Sequence, residues 1–289
     1  MRATKQIQFL IKLLDFDSKQ VYAINDLRHL LADSLTRNLS LRSVVKDLVR
    51  LRHLTQVDLP TPRRASTFYI KKGIPFEFAA VSIDSKAYLC HETAARLHEL
   101  VDKPSHRIYV NVEQRLGSPL DAKLEQSRID AAFRRPPRTT TNITKNGKRE
   151  VCLVNGKNTG CLGVIEHPLN VRRKAYNLRI TDLERTMIDL TTRPSYGGGV
   201  HQVLRAFERA RPNLSIEKLV DTLHRIGHIY PYHQCIGFYL EASGEYSADE
   251  IKPFRDMSME FDFYLENKME QTVYVPQWRL YVPNSLLRT

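Results

Sequence analysis

The chain has 289 residues, 42% of them hydrophobic and 26% charged. This is the composition of a globular protein and excludes a disordered, collagenous or fibrous chain. Because no stretch approaches the roughly 20 consecutive apolar residues of a membrane helix and the first residues show no signal-peptide core, we expect a cytoplasmic protein with no membrane partner. Four cysteines without a Cys-x-x-Cys pair predict neither a disulfide framework nor a zinc site.

Positive charge is concentrated at the start of the chain. Lys and Arg outnumber Asp and Glu by 44 to 32, and eight of these twelve excess positive charges lie in residues 1–72. An excess of this size is typical of proteins that bind polyanions. We therefore expect the first quarter of the chain to contact a nucleic acid.

Three helices and a short strand are predicted in this first quarter. Apolar residues at helical spacing predict a helix from about Thr4 to Asp15, and Val21–Ala23 is too short for anything but an edge strand. We expect Asn25 to cap a second helix, which ends in a polar turn at residues 33–38. A third helix, Ser40–His53, has an apolar stripe that packing on the first two helices explains.

The opposite face of the third predicted helix is cationic and polar. It carries Arg42, Ser43, Lys46, Arg50 and His53. A face that only meets solvent normally interleaves both signs of charge, whereas Asp47 is the single acid nearby. Arg and Lys donate to guanine edges and phosphates, and short hydroxyl side chains allow a close approach to DNA. We therefore predict that these five residues contact DNA.

A basic hairpin follows this helix. Thr55–Leu59 and Thr67–Ile70 predict two strands, joined by a Pro-braced turn that contains Arg63 and Arg64. Three helices followed by a basic hairpin predict a winged helix-turn-helix, with the third helix in the major groove and the wing on the backbone or minor groove. Arg63 and Arg64 are thus predicted DNA contacts. The alternative is a winged helix that binds only proteins, and the positive charge argues against it.

The chain as a whole predicts an α+β fold of two domains. A Gly- and Pro-containing turn at residues 73–75 separates a winged helix-turn-helix domain, 1–72, from a larger mixed α/β domain, 73–289, with antiparallel strands and several helices. Each side has its own apolar stripes, so we expect the domains to fold separately. The alternative is a shared core, in which the wing packs on Phe76 and Phe78.

Within the larger domain, three local patterns predict elements. Phe78–Val81 predicts a short buried strand. Val151–Val154 and Cys161–Ile165 flank a polar turn and predict a hairpin. A capping-box pattern predicts a helix that Thr181 caps, with Glu184 as the reciprocal carboxylate.

No catalytic constellation is recognisable, so we predict no enzyme activity, cofactor or metal. The glycine run 197–199 follows a predicted helix and lacks the pattern of a phosphate-binding loop. His224 and His228 lie one helical turn apart, but no Glu follows His224 as a metalloprotease requires. A nucleotidyltransferase needs two closely spaced carboxylates, and Gly117-Ser118 precedes only Asp121. The alternative is a nucleic-acid-processing enzyme whose site is built from residues distant in sequence.

Two segments of the larger domain carry motifs of a known family. They are Tyr88–Leu100 and Ile180–Leu190, and the second contains a Glu-Arg-Thr segment, the most specific part. With the preceding winged helix, they resemble the AbiEi family, antitoxins of type IV toxin-antitoxin and phage abortive-infection systems. The resemblance covers nearly the whole chain. Glu99, where the family often has Gly, and a long basic stretch, Arg134–Lys157, depart from the family pattern.

The resemblance implies two activities. The winged helix represses the protein's own operon by binding inverted repeats in double-stranded DNA, and the larger domain neutralises a co-encoded nucleotidyltransferase-like toxin. Candidates for toxin-facing residues are Thr181, Glu184, Arg185 and Asp189. Their pattern alone favours a structural role, as a cap, a reciprocal carboxylate and a cation four residues before an acid. A plain transcriptional regulator without a toxin is the alternative function.

Overall fold

Three β-sheets organise the chain. The computed structural model describes residues 5–32, 40–117, 124–171 and 174–287. In these ranges the protein has the predicted α+β fold; its sheets are antiparallel or mixed, and the parallel pairs were not predicted. None of the helices in these ranges combines the length and the apolar character that a membrane crossing requires.

The first part of the chain is a winged helix. Its elements are α1 (Lys5–Phe16), β1 (Val21–Ala23), α2 (Ile24–Leu31), α3 (Leu41–Arg50), β2 (Leu54–Leu59) and β3 (Ser66–Lys71). The strands form an antiparallel sheet in which β3 lies between β1 and β2. The three helices bury one core against this sheet, with Leu10, Leu27 and Leu48 fully inaccessible.

Two helix starts differ in detail from the prediction. Asn25 does not cap α2; the helix begins at Ile24, and the Asp26 carboxylate accepts from the Ala23 N–H at 2.6 Å. An acid in the first turn supplies the acceptor, which leaves Asn25 to accept from Arg28. Ser40, the predicted first residue of the third helix, is instead the cap of α3, since its Oγ accepts from the Ser43 N–H at 3.3 Å. Thr4 and the predicted turn at 33–38 lie outside the described residues.

The rest of the chain contains a six-stranded sheet and a helical layer. The first elements are α4 (Phe76–Val81), β4 (Tyr88–Leu89), α5 (His91–Leu97), β5 (Arg107–Asn111), α6 (Gln126–Phe133), β6 (Ile143–Asn146), β7 (Arg149–Val154), β8 (Val164–Val171) and β9 (Lys174–Thr181). The sheet order is β6-β7-β5-β4-β9-β8, with β5 parallel to β7 and β4 parallel to β9.

Helices then predominate, and a small sheet ends the described chain. The elements are α7 (Leu183–Thr192), α8 (Val200–Ala210), α9 (Ile216–Ile226), α10 (Tyr232–Ala242), α11 (Ala248–Arg255), β10 (Phe263–Tyr264), β11 (Thr272–Val275) and β12 (Leu280–Pro283). Their apolar faces form one core around the fully buried Trp278.

Two predicted elements of this part are wrong. Phe78–Val81 is not a strand but most of α4, in which Phe76, Ala79 and Ala80 are buried at helical spacing. The predicted hairpin of Val151–Val154 with Cys161–Ile165 does not form, because β7 pairs with β5 and β6, and β8 pairs with β9. The intervening loop is instead bound to the end of β5, where Asn111 accepts from the Gly156 N–H at 2.9 Å.

One hydrophobic cluster crosses the predicted boundary near residue 72. The face of the winged-helix sheet that points away from α1–α3 packs on α4 and on the six-stranded sheet. The cluster contains Val21, Val57, Leu59 and Ile70 from the winged helix, and Phe76, Ala79, Leu89, Val110 and Ile180 from the larger part. The β1-β3-β2 sheet is therefore a layer between two cores, and the structure contains the shared core that was the alternative to separate domains.

Candidate nucleic-acid interface

The predicted reading face of α3 is exposed as one surface. Val44, Val45 and Leu48 point into the winged-helix core, and this orients the opposite side of the helix to solvent. The polar residues of that side are Arg42, Ser43, Lys46 and Arg50, all exposed. Because Arg42, Lys46 and Arg50 follow one another at four-residue intervals, their side chains form one cationic row.

The cations of this row differ in their partners. The Arg50 guanidinium lies 2.6 Å from the Asp47 carboxylate, one turn back on α3. In the described part of the chain, no acid lies within ion-pair distance of Arg42 or Lys46. Asp47 thus partly neutralises the end of the row, and Arg42 and Lys46, the cations of the row without an ion pair among the described residues, lie on the first two turns of α3.

His53 lies outside α3, so its predicted place on the helix face is wrong. The helix ends at Arg50, and the His53 N–H donates to the Leu48 carbonyl at 3.0 Å. The His53 carbonyl accepts from the Lys72 N–H at 3.1 Å. These bonds join the end of α3 to the turn after β3, and the His53 side chain is half-buried.

An apolar groove of about 530 Å³ runs beside the cationic row. Its lining includes Ile24, Leu41, Val45, Val49 and Tyr69, with Arg28, Arg42 and Lys46 also on its walls. Apolar side chains next to cations suit the major groove, where thymine presents a methyl group and guanine presents acceptors. Arg28 and Tyr69 were not predicted at this site, because they come from α2 and β3, which only the fold brings alongside α3.

The wing carries its two predicted arginines on an exposed turn. Arg63 and Arg64 are both exposed, between β2 and β3. Thr61 closes the turn, because its Oγ1 donates to the Arg64 carbonyl at 2.6 Å and accepts from the Arg64 N–H at 3.3 Å. The two guanidinium groups are therefore presented on a short, internally bonded loop.

Two asparagines of the basic stretch Arg134–Lys157 contact the wing. Asn146 Oδ1 accepts from the Asp58 N–H at 2.8 Å, and its Nδ2 donates to the Asp58 carbonyl at 2.7 Å. Asn142 Nδ2 donates to the Thr61 carbonyl at 2.9 Å. Sequence analysis missed these contacts. The Asn-Gly pair at 146–147 is a turn signal, but it does not indicate which strand the turn packs against.

The residues proposed from the Glu-Arg-Thr motif lie inside the fold. Asp182, not Thr181, caps α7, since its Oδ1 accepts from the Arg185 N–H at 2.8 Å. Thr181 belongs to β9, and its hydroxyl is hydrogen-bonded to the Thr186 hydroxyl at 2.7 Å. Thr181 is therefore not the predicted cap.

Glu184 also differs from its predicted role. It does not reach back to the helix cap; it accepts from the Ser215 N–H at 3.0 Å and pairs with Lys218 at 2.8 Å. Burial alone would raise the pKa of Glu184, but the hydrogen bonds from Lys218 and Ser215 outweigh it and hold this pKa below its ordinary value. The carboxylate thus joins α7 to the start of α9.

The predicted pair of Arg185 and Asp189 is confirmed. Arg185 Nε lies 2.8 Å from Asp189 Oδ1, and the arginine is only 6% exposed. Its Nη1 also donates to the Leu162 carbonyl at 2.9 Å. Nearby, a side chain at Gly163 would lie 2.8 Å from Arg185 Cβ. These contacts bind the loop before β8 to α7, as a structural role for the motif requires.

The chain matches solved structures but no family model and no curated protein. Among solved structures, the RV2827C protein from Mycobacterium tuberculosis is similar, with a TM-score of 0.63 and 17% sequence identity over 99% of this chain and 95% of that one. At this identity, the likeness shows a common fold over almost the full length of both chains.

Proposed function

We propose that this protein is a double-stranded DNA-binding repressor of its own operon, with no catalytic activity of its own. The observation that carries the proposal is the row of Arg42, Lys46 and Arg50, exposed on the third helix of a winged helix. A helix presented in this way enters the major groove in helix-turn-helix proteins, and basic side chains on it contact bases and phosphates. The exposed Arg63 and Arg64 supply contacts to the flanking backbone.

Antitoxin activity is the second part of the proposal, and it is supported by the sequence resemblance alone. The partner is a co-encoded nucleotidyltransferase-like toxin. Because the Glu-Arg-Thr side chains are used within the fold, the toxin contacts other, exposed residues of the larger part. A plain regulator without a toxin is the alternative, and the two differ in whether the protein protects cells from the product of a neighbouring gene.

DNA binding is tested with a duplex taken from upstream of the protein's own gene and a random-sequence duplex of the same length. We expect the upstream duplex to bind roughly 10³-fold more tightly at physiological salt, the lower range for specific regulators. Fluorescence anisotropy and footprinting measure this preference. Equal affinity for both duplexes would contradict sequence-specific repression.

Antitoxin activity is tested by co-expression with the neighbouring gene. If that gene arrests growth, we expect the full chain to restore it. A matched variant, Arg42→Ala with Lys46→Ala, separates the two activities, because it removes charge from α3 and leaves the larger part unchanged. Growth that depends on these two residues would mean that protection acts through DNA binding.

A further inference from the structure

The outer strand of the wing is not a free edge. In the three-stranded sheet β2 is an outer strand, and in the six-stranded sheet β6 is an outer strand. Backbone N–H and C=O groups on such edges point to solvent or to a partner. Here the side chains of Asn142 and Asn146, on or just before β6, occupy this position beside β2.

The Asn146 amide substitutes for a peptide group of a neighbouring strand. A side-chain amide has a carbonyl acceptor and an N–H donor in one plane, as the backbone does. Asn146 uses both on the same residue, Asp58, at 2.8 and 2.7 Å. Asn142 donates to the Thr61 carbonyl at the base of the wing turn, so the wing is held at two points, one on β2 and one in the turn that leads to Arg63.

The segment that holds the wing is itself fixed to the larger part. Thr140 Oγ1 donates to the Leu153 carbonyl at 2.6 Å and accepts from the Asn142 N–H at 3.2 Å. The Thr140 N–H donates to the Tyr196 hydroxyl at 2.6 Å. Asn146 is paired with Arg149 within the β6–β7 hairpin. Both asparagines therefore belong to a segment that is hydrogen-bonded to the larger part of the chain.

We propose that Asn142 and Asn146 are positioning residues for DNA binding, which set the angle of the wing so that Arg63 and Arg64 reach the duplex backbone. The inference rests on the proposed function and extends it, because it makes the larger part of the chain a contributor to DNA affinity. A wing held in its binding geometry loses less conformational freedom when it meets DNA. The asparagines need not contact DNA themselves.

The first test measures the contact without DNA. The variants are Asn146→Ala and Asn142→Ala in the full chain, and the matched control is Asn170→Ala, an exposed asparagine on the opposite outer strand, β8. Hydrogen exchange of the Asp58 amide is expected to accelerate about tenfold in Asn146→Ala and to stay unchanged in the control. Unchanged exchange in Asn146→Ala would show that the wing is held by other contacts.

The second test measures binding to a random-sequence duplex as a function of salt. We expect Asn146→Ala to weaken binding roughly fivefold to tenfold, because a released wing loses more conformational freedom on meeting DNA, and to lower the slope of log affinity against log salt. In an Arg63→Ala, Arg64→Ala background, the same substitution should have no further effect, since there is no wing charge left to position. A protein that was only less stable would show the same loss in both backgrounds.

The outcomes separate this inference from the proposed function. If the wild type binds DNA and Asn146→Ala binds with the same affinity and the same salt slope, the positioning role is overturned and the proposed DNA binding stands. Additive losses in the two backgrounds would also overturn it. If the wild type bound no duplex, the proposed function would be wrong, and with it the role of the asparagines in DNA binding.

Discussion

His91 combines a special backbone conformation with a buried ring. Its φ is +49°, in the left-handed region, at the first residue of α5. The imidazole packs edge-on against Tyr196 and Tyr109, with ring centroids 5.0 and 6.1 Å away. Within the described ranges its buried Nδ1 has no hydrogen-bond partner. Burial lowers the pKa of His91 to about 4, although Asp189 opposes the shift.

This histidine should make the fold sensitive to acid. Below a pH near 6.5 the unfolded chain binds a proton at His91, whereas the folded chain does not until about pH 4. The unfolded state is therefore favoured as pH falls through this window, by about 2 kcal/mol between neutral pH and about pH 5. Urea unfolding at both pH values should show a smaller pH dependence of stability for His91→Asn, because the variant lacks the titrating ring. Asn is the chosen replacement because it tolerates a positive φ.

The matched control for this measurement is His106→Asn, at an exposed histidine. Its pH dependence of unfolding should equal that of the wild type. If the stability of His91→Asn depended on pH as strongly as that of the wild type, other groups would cause the acid sensitivity.

Gly237 lets α10 pack closely against Trp278 in the helical layer. A Cβ there would lie 2.2 Å from two ring carbons of Trp278, which is fully buried and donates from its indole N–H to Glu241. We expect Gly237→Ala to reduce the free energy of unfolding by about 2–3 kcal/mol or more, because the indole must move. Thermal unfolding measures this loss of stability. The control is Gly117→Ala, where the added methyl meets open space, and it should change the free energy of unfolding by no more than about 0.5 kcal/mol.

At the scale of elements, α3 and the wing have different expected roles. A side chain that pairs with a base edge contributes discrimination of roughly 1–3 kcal/mol, whereas a phosphate contact contributes equally on every sequence. The uncompensated Arg42 and Lys46 fit the first role. The exposed Arg63 and Arg64, on a loop held by the larger part, fit the second.

We expect Arg42→Ala and Lys46→Ala each to reduce affinity for the upstream duplex about tenfold more than affinity for the random duplex. Parallel anisotropy titrations give both values. Lys252→Ala, which removes an exposed charge from α11, where it is paired with Asp256, is the control for net charge and should change both affinities little. Equal losses on the two duplexes in the α3 variants would mean that this helix contacts only phosphates.

Elements defined by local patterns were predictable from the sequence, and pairings between distant segments were not. The stripe of α3 and the basic turn of the wing are local, so the winged helix was predicted with nearly correct bounds. The pairing of β7 with β5 and of β8 with β9 depends on partners elsewhere in the chain. The contact of Asn146 with Asp58 joins residues 88 positions apart, and no local spacing indicates it.

At the scale of the whole molecule, the winged helix and the larger part share a layer. Both faces of the β1-β3-β2 sheet are covered, one by α1–α3 and the other by α4 and the six-stranded sheet. The charge difference across residue 72 predicted a division of function, and the sequence has no local signal for the burial of the second face. Charge and packing therefore divide the chain differently.

Removal of residues 1–72 should leave the larger part poorly folded. It would open the apolar cluster that the larger part shares with the wing sheet, to which Phe76, Leu89 and Val110 belong, and it would leave Asn142 and Asn146 without their partners. We expect aggregation in sedimentation and a lower thermal midpoint by circular dichroism. A monomeric, cooperatively unfolding 73–289 fragment would contradict this and favour separate domains.

The doubly covered sheet also sets the order of events during synthesis. The winged helix leaves the ribosome first, with its helical core complete, but the other face of its sheet remains apolar and exposed until the strands up to β9 have followed. An exposed apolar sheet face on a nascent chain is a surface for chaperones and for aggregation. The proposed DNA-binding surface therefore reaches its final form only after residue 181 has been translated, so we expect incomplete chains to bind the proposed operator poorly.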